Sequence, residues 1–319
     1  MLKRFWIKKI MIASSALFAL LLICLIPKED KTLTNIKQEL EYVDKGINKN
    51  EIFLLDVNNY LARTSVALTS TDVTGKAKEI LNTLITGSSG ESKIPNGFRG
   101  VLPADTKILT VEYEDKILKI NLSNEVMDVK EDMEEKVIEA IVYNLTSIDG
   151  VDKIMLFVEG NILTKLPKTG INLPTTLDRS YGINKEYDIN STKNITNVTV
   201  YYVNKYNGNE YYVPVTKYVN DDREKIQIIV DELTSSPIYS SNLMSYLNSN
   251  TKLLEISESV DSLDLVFNSY IFSDVDEKEI LEEVIYTISL SVKDNYDVNE
   301  VSFTVNDEEI CKSTLKTIE

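Results

Sequence analysis

At 319 residues, 43% of them hydrophobic, the chain is longer than one average domain and has enough apolar side chains for two folded cores, which excludes a wholly disordered polypeptide. It has no histidine and only two cysteines, so Ser-His-Asp and Cys-His triads, imidazole zinc ligands and a disulfide framework are all excluded. The first 31 residues hold six of the 34 basic and two of the 50 acidic side chains, leaving residues 32–319 with 28 against 48, a net charge of −20. Such a surface repels phosphate backbones and anionic headgroups, so nucleic acid is not an expected partner.

The N-terminus reads as a membrane signal. Lys3, Arg4, Lys8 and Lys9 precede an apolar or small run from Ile10 to Ile26, closed by Pro27. A helix of that length, at about 1.5 Å per residue, spans roughly 25 Å, the lower limit for a bilayer core. The upstream positive charges hold the N-terminus in the cytoplasm and place the rest of the chain outside the cell membrane. Leu25-Ile26-Pro27-Lys28 offers no small-x-small cleavage pattern. Lipid attachment at Cys24 is disfavoured because Ile23 stands where a lipoprotein has a small residue. Residues 1–27 are therefore read as an uncleaved signal anchor and 28–50 as a charged linker, with Leu33, Ile36 and Leu40 spaced for a short helix.

Beyond the linker the sequence repeats itself. Thr106-Lys107-Ile108-Leu109 returns as Thr251-Lys252-Leu253-Leu254, an offset of 145, and each is followed by an alternating strand: Leu118, Ile120, Leu122 and then Leu263, Leu265, Phe267. Upstream, Ala77, Ile80, Leu81 and Leu84 form one apolar helix face, matched by Ile226, Ile229, Val230 and Leu233. Downstream, Ile138, Ile141, Val142 and Leu145 match Leu281, Val284, Ile285 and Ile288, and a closing strand Ile154, Leu156, Val158 matches Val301, Phe303, Val305. Asn207-Gly208 predicts a hairpin turn between Val198–Val203 and Glu210–Val215. Each copy thus reads ββαββαβ, a small sheet covered on one face by two helices, and the fold class is α+β with two tandem two-layer domains. The boundaries are 51–160 and 198–310, joined by a linker over 161–197 and followed by a tail over 311–319. Cys311 reads as a small residue near a strand end.

Chemistry is sparse. There is no GxGxxG or GxxxxGK[ST] loop, so no phosphate cradle. Paired carboxylates are the remaining catalytic material, as in glycoside hydrolysis. The dense groups Glu131-Asp132 with Glu134-Glu135, Asp221-Asp222 with Glu224, and Asp274 through Glu279 instead suit the first turns of helices, where the dipole favours acids. Asp274-Val275-Asp276 alternates acids but lacks the glycine and terminal Glu of a calcium loop. The expectation is a non-enzymatic protein with no cofactor and no metal. Tyr201, Tyr202, Tyr206, Tyr211 and Tyr212 crowd the second hairpin. They read either as half-buried strand residues or, for Tyr206, Tyr211 and Tyr212, as an exposed aromatic edge for a protein partner.

Together these units resemble the tandem GerM-type (GerMN) domains of a bacterial sporulation and spore-germination family. The resemblance rests in copy one on Leu84-Ile85-Thr86-Gly87, Leu102-Pro103, Leu118 to Ser123, Val142 to Thr146 and Val158-Glu159-Gly160. In copy two it rests on Leu233 to Pro237, Phe267-Asn268-Ser269, Ile285 to Ile288 and Val305-Asn306-Asp307. Copy two departs at Asn248 and Asp307, where copy one has Pro103 and Gly160. The family resemblance implies a scaffold or assembly factor of sporulation. It would be tethered to the membrane between mother cell and forespore and would contact other envelope proteins, among them ring-forming secretion-like components. The alternative is a protein that binds or modifies the peptidoglycan wall through its carboxylates.

Overall fold

In the computed structural model the described residues are 39–40, 49–235 and 241–315. The expected signal anchor and Cys24 lie outside them. Among the described residues no helix is long and apolar enough to cross a membrane.

A two-residue strand, β1 (Glu39–Leu40), comes first and pairs in parallel with the last strand of the chain, Leu40 lying opposite Ser313. Leu40 is therefore extended rather than helical: an open sheet edge offers it the backbone partners that a short isolated helix would have to supply alone. Leu33 and Ile36 fall outside the described residues.

Repeat one opens with the hairpin β2 (Lys49–Asp56) and β3 (Leu61–Ala67). Helix α1 (Val73–Leu84) follows, capped by Asp72, whose carboxylate accepts the Gly75 N–H at 2.9 Å. Its buried face is Ala77, Ile80, Leu81 and Leu84, the spacing the sequence predicts. Next come the short β4 (Phe98–Arg99), β5 (Ile108–Glu114), β6 (Ile117–Leu122), helix α2 (Glu134–Leu145), β7 (Lys153–Val158) and β8 (Asn161–Ile162). After a linker strand β9 (Glu186–Asp188), repeat two runs β10 (Ile195–Tyr206), β11 (Asn209–Asn220), helix α3 (Lys225–Thr234), β12 (Leu253–Glu258), β13 (Ser262–Phe267), helix α4 (Glu282–Asn295), β14 (Glu300–Val305) and β15 (Glu308–Thr314). Asn207 and Gly208 turn the second hairpin with φ of +49° and +82°.

The repeat is real in three dimensions. The order β5-β6-β7-β8, antiparallel then parallel then antiparallel, returns as β12-β13-β14-β15. Even the bulge recurs, between Ile108 and Thr110 and again between Leu253 and Glu255. Leu81 and Val230 are buried at matching positions, as are Leu122 and Phe267.

The architecture differs from the sequence expectation in two respects: each repeat adds a closing strand, β8 or β15, the latter taking up residues 311–314 of the expected tail, and the layering changes. Each hairpin leaves its repeat's own sheet, and the two hairpins join in a central six-stranded sheet of order β10-β11-β3-β2-β4, with β9 also on β11. The junction is made where Tyr212 pairs with Arg63. The reason is visible in the side chains. Ile52 to Leu55 and Val198 to Val203 are buried at nearly every position, so both faces of these strands need cover, and a lone hairpin is marginal in water. Ala62 of β3 packs into the core of repeat two, and Phe98 touches both cores.

Helices also close the outer edges of this sheet. In repeat one the Asn144 side chain of α2 exchanges two 2.8 Å hydrogen bonds with the backbone of Phe53. In repeat two Ser291 of α4 accepts the Tyr201 N–H at 2.9 Å, and Asn295 donates to the Thr199 carbonyl at 2.8 Å. Backbone groups that would template aggregation are thereby satisfied.

Glu134 and Glu135 occupy the first turn of α2, as the sequence predicts, whereas the two acidic runs of repeat two lie just ahead of their helices. Asp274 accepts the backbone N–H groups of Asp276 and Glu277 in a tight turn that ends before α4, whose first-turn acids are Glu282 and Glu283. Asp221 likewise accepts the Arg223 N–H in the loop before α3, a helix with no first-turn acid. Short polar side chains satisfy local turns at close range, which outcompetes a distant helix dipole.

Candidate functional site

The junction between the repeats gathers several buried charges. Arg179 comes from a short 3-10 turn in the linker, Arg179–Tyr181. Its guanidinium reaches Asp294 of α4 in repeat two and Glu51 of β2 in repeat one, the latter at 3.4 Å. It also lies over the rings of Tyr143 and Phe53, at 5.0 and 5.6 Å from their centroids. Glu51 further accepts Arg63 Nε at 3.0 Å and Lys293 Nζ at 3.3 Å. Burial alone would raise the Glu51 carboxyl, but Arg63, Lys293 and Arg179 hold it well below the usual carboxylate range. Asp294 also accepts the Tyr201 hydroxyl at 2.8 Å. A single planar fork therefore ties both repeats to the linker, which a lysine could not do.

A second tie runs through Asn184, held at a φ of +47°. Its amide donates to the carbonyls of Leu61 in β3 and Pro214 in β11, at 2.8 and 2.7 Å, and accepts the Leu61 N–H at 3.0 Å. Its own N–H donates to Glu139 of α2 at 2.9 Å. Burial pushes the Glu139 carboxyl up to about 7, although Lys136, Lys185 and the Asn184 N–H oppose the shift.

The tyrosines expected on an exposed edge are largely used within the chain. Tyr211 is buried, donates to Asp56 at 2.9 Å and meets Phe98 edge-on at 5.0 Å. Tyr206 packs on Gly97, whose φ of +93° and a Cβ position only 2.4 Å from that ring both demand glycine. Tyr212 points the other way, as strand alternation requires, and meets Tyr286 of α4. The hairpin is half-buried because repeat one covers one of its faces and α4 the other.

The acidic groups are dispersed in role. Glu134 is fully buried and accepts the backbone N–H groups of Lys168 and Thr169, at 2.8 and 2.7 Å, so it holds the linker rather than its own helix. Glu131, Asp132 and Glu135 line an open depression of about 570 Å³ together with Lys130 and Thr169. Among the described residues no group of three or more acidic or cysteine side chains could hold a metal ion. Cys311 sits half-buried in β15 opposite Phe303, where burial pushes its thiol up to about 12.

Arg179, Asn184, Glu139 and Asp56 are the residues that sequence reasoning missed. Arg179 had one signal: the chain has only five arginines, and this one falls in a linker otherwise rich in Asn, Thr, Pro and Lys. Asn184 and Glu139 had none, since their partners lie 30 to 123 residues away.

A family model described as Germane, sporulation and spore germination, matches residues 51–164 and 199–311. Over 261 residues the chain is 33% identical to the spore germination protein GerM of Bacillus subtilis (strain 168), a match covering 80% of this chain and 71% of that protein. The fold is similar to the solved tandem GerMN domains of the sporulation protein GerM from Bacillus subtilis, with a TM-score of 0.76 and 31% identity over 84% of this chain and 94% of that one. The chain belongs to the Germane family of sporulation and spore germination proteins.

Proposed function

We propose that the protein is a non-enzymatic scaffold or assembly factor of the sporulating cell envelope, tethered by residues 10–26 with both repeats outside the membrane. In this reading it stands between mother cell and forespore and contacts other envelope proteins of a transenvelope complex. The observation that carries the reading is the joined central sheet with its Arg179 and Asn184 ties, which fixes two similar domains as one rigid body. A scaffold needs such fixed spacing between contact surfaces, whereas independent modules on a flexible linker would not provide it. The end strands β5 and β12 suit those contacts, since they present Leu109 and Leu254 to solvent at equivalent positions, 43% and 58% exposed.

The test is complementation scored by heat-resistant spores, with Leu109→Asp and Leu254→Asp as the variants. Spore yield should fall while circular dichroism of the purified proteins stays unchanged. Full spore yield from the double variant would end the edge-contact reading. The wall-modifying alternative keeps one foothold, the depression lined by Glu131, Asp132 and Glu135. Loss of sporulation from an isosteric Glu131→Gln or Asp132→Asn change in a folded protein would favour it.

A further inference from the structure

The linker strand β9 carries an aromatic surface that the junction does not use. Tyr187 is 61% exposed, and its ring lies flat against Tyr218 of β11, with centroids 4.8 Å apart and planes 16° apart. Tyr218 stacks on one face of the Tyr187 ring, and Tyr187 stays largely exposed. Beside this pair, Lys185 Nζ sits 3.5 Å from the centroid of Tyr181 and forms an ion pair with Glu135 at 2.9 Å. Burial first, and then the charges of Glu135 and Glu139, raise the phenols of Tyr181 and Tyr187.

Two further atoms call for a partner. The Tyr181 hydroxyl and Thr169 Oγ1 are both buried and make no hydrogen bond within the chain. Thr169 shares the open depression with Glu135, so the same carboxylate borders both the tyrosines and the depression. Buried hydroxyls without partners are few in folded proteins, and each needs an explanation.

The chemistry narrows what could sit here. A polyanion meets a chain whose residues 32–319 carry a net charge of −20. A protein anchor side chain seeks a concave apolar pocket, whereas this surface is a flat ring pair with a polar rim. A pyranose offers the matching shape: an apolar C–H face for the aromatic ring, and hydroxyl groups at its edge for a carboxylate partner.

We propose that the Tyr187–Tyr218 platform, with the Glu135 carboxylate beside it, binds a neutral glycan strand. Helix α2 of repeat one, the linker and β11 of repeat two all contribute, so the surface exists only in the docked tandem. The proposal is independent of the scaffold reading and of the Leu109 and Leu254 edges.

The test is calorimetric titration of the full-length chain in detergent with a hexamer of β-1,4-linked N-acetylglucosamine. Cellohexaose, which lacks acetamido groups, forms a second arm, and heparin is a polyanion control. Saturable binding of the hexamer and none of heparin is expected. Tyr187→Ala should weaken binding about tenfold or more, Tyr187→Trp should preserve it, and Glu135→Gln should weaken it severalfold. Binding of cellohexaose as well would support the platform with the acetamido group dispensable. Tyr187 is exposed, so Tyr187→Ala should leave circular dichroism unchanged. Failure of both neutral oligosaccharides to bind, or saturable binding undiminished in folded Tyr187→Ala, overturns the proposal.

Discussion

The Tyr211 hydroxyl of repeat two donates a 2.9 Å hydrogen bond to Oδ2 of Asp56, 155 residues earlier in repeat one. The other oxygen of Asp56 accepts the N–H groups of Asn58 and Tyr60, each at 2.8 Å, so one carboxylate closes the first hairpin and holds the second. Asn204 adds a 3.2 Å bond to the same Oδ2. The repeats are joined by polar pairs set inside an apolar seam, where each unmade bond is costly.

Tyr211→Phe keeps the ring against Phe98 and removes only the hydroxyl. It should destabilise the protein by about 1.5–3 kcal/mol, the usual worth of a buried hydrogen bond to a charged acceptor. Tyr187→Phe, at an exposed ring, should stay within about 0.5 kcal/mol. Urea denaturation of the two variants under one buffer checks the contrast.

Arg179→Met leaves Glu51 with Arg63 and Lys293, but takes from Asp294 its cation and leaves it the Tyr201 hydroxyl. Breaking such a largely buried tie should cost about 3–5 kcal/mol. Adding Asp294→Asn should recover part of that loss, because the two changes share one interaction. A double-mutant cycle reads the coupling, and strict additivity would show that Arg179 does not bridge the repeats.

Glu139 makes stability depend on pH. Its folded pKa, about 7, lies above the ordinary value of 4.5, so the fold favours the protonated form. That contribution is fully present below pH 4.5 and is lost as pH rises through 7. Glu139→Gln keeps an oxygen for the Asn184 N–H and cannot ionise. The variant should gain stability relative to the parent between pH 4.5 and 7, by an amount of order 3 kcal/mol at most. Lys136 and Lys185, left without the carboxylate, reduce the gain. A stability difference that stays flat across this window would place Glu139 outside the titration.

Glu134→Ala strips two backbone donors, at Lys168 and Thr169, of their acceptor. It should cost about 2–4 kcal/mol and loosen the linker, whereas Glu134→Gln, which retains one acceptor oxygen, should cost less. Glu131→Gln, Asp132→Asn, Asp274→Asn and Asp276→Asn should leave both thermal melting and spore yield near those of the parent. Melting curves together with heat-resistant spore counts check the series.

Much of the architecture was legible in the residues alone. The apolar spacing of Ile80, Leu81 and Leu84, repeated at Ile229, Val230 and Leu233, fixed the helices and their buried faces, because a side-chain period of 3.6 is a local property. Asn207-Gly208 marked a hairpin because this pair takes two successive positive φ values at little cost. What covers a buried strand face is not local. The run Ile52 to Leu55 says that both faces are covered, but only the folded chain decides that β3 pairs with β11 and shares a sheet with the other repeat. The same limit hid Arg179, Asn184 and Asp56, each a single polar residue whose partners are distant in sequence and leave no periodic trace. It also turned Tyr211 from an expected docking residue into an internal tie. Strand alternation states which way a side chain points, and tertiary packing alone decides what it meets there.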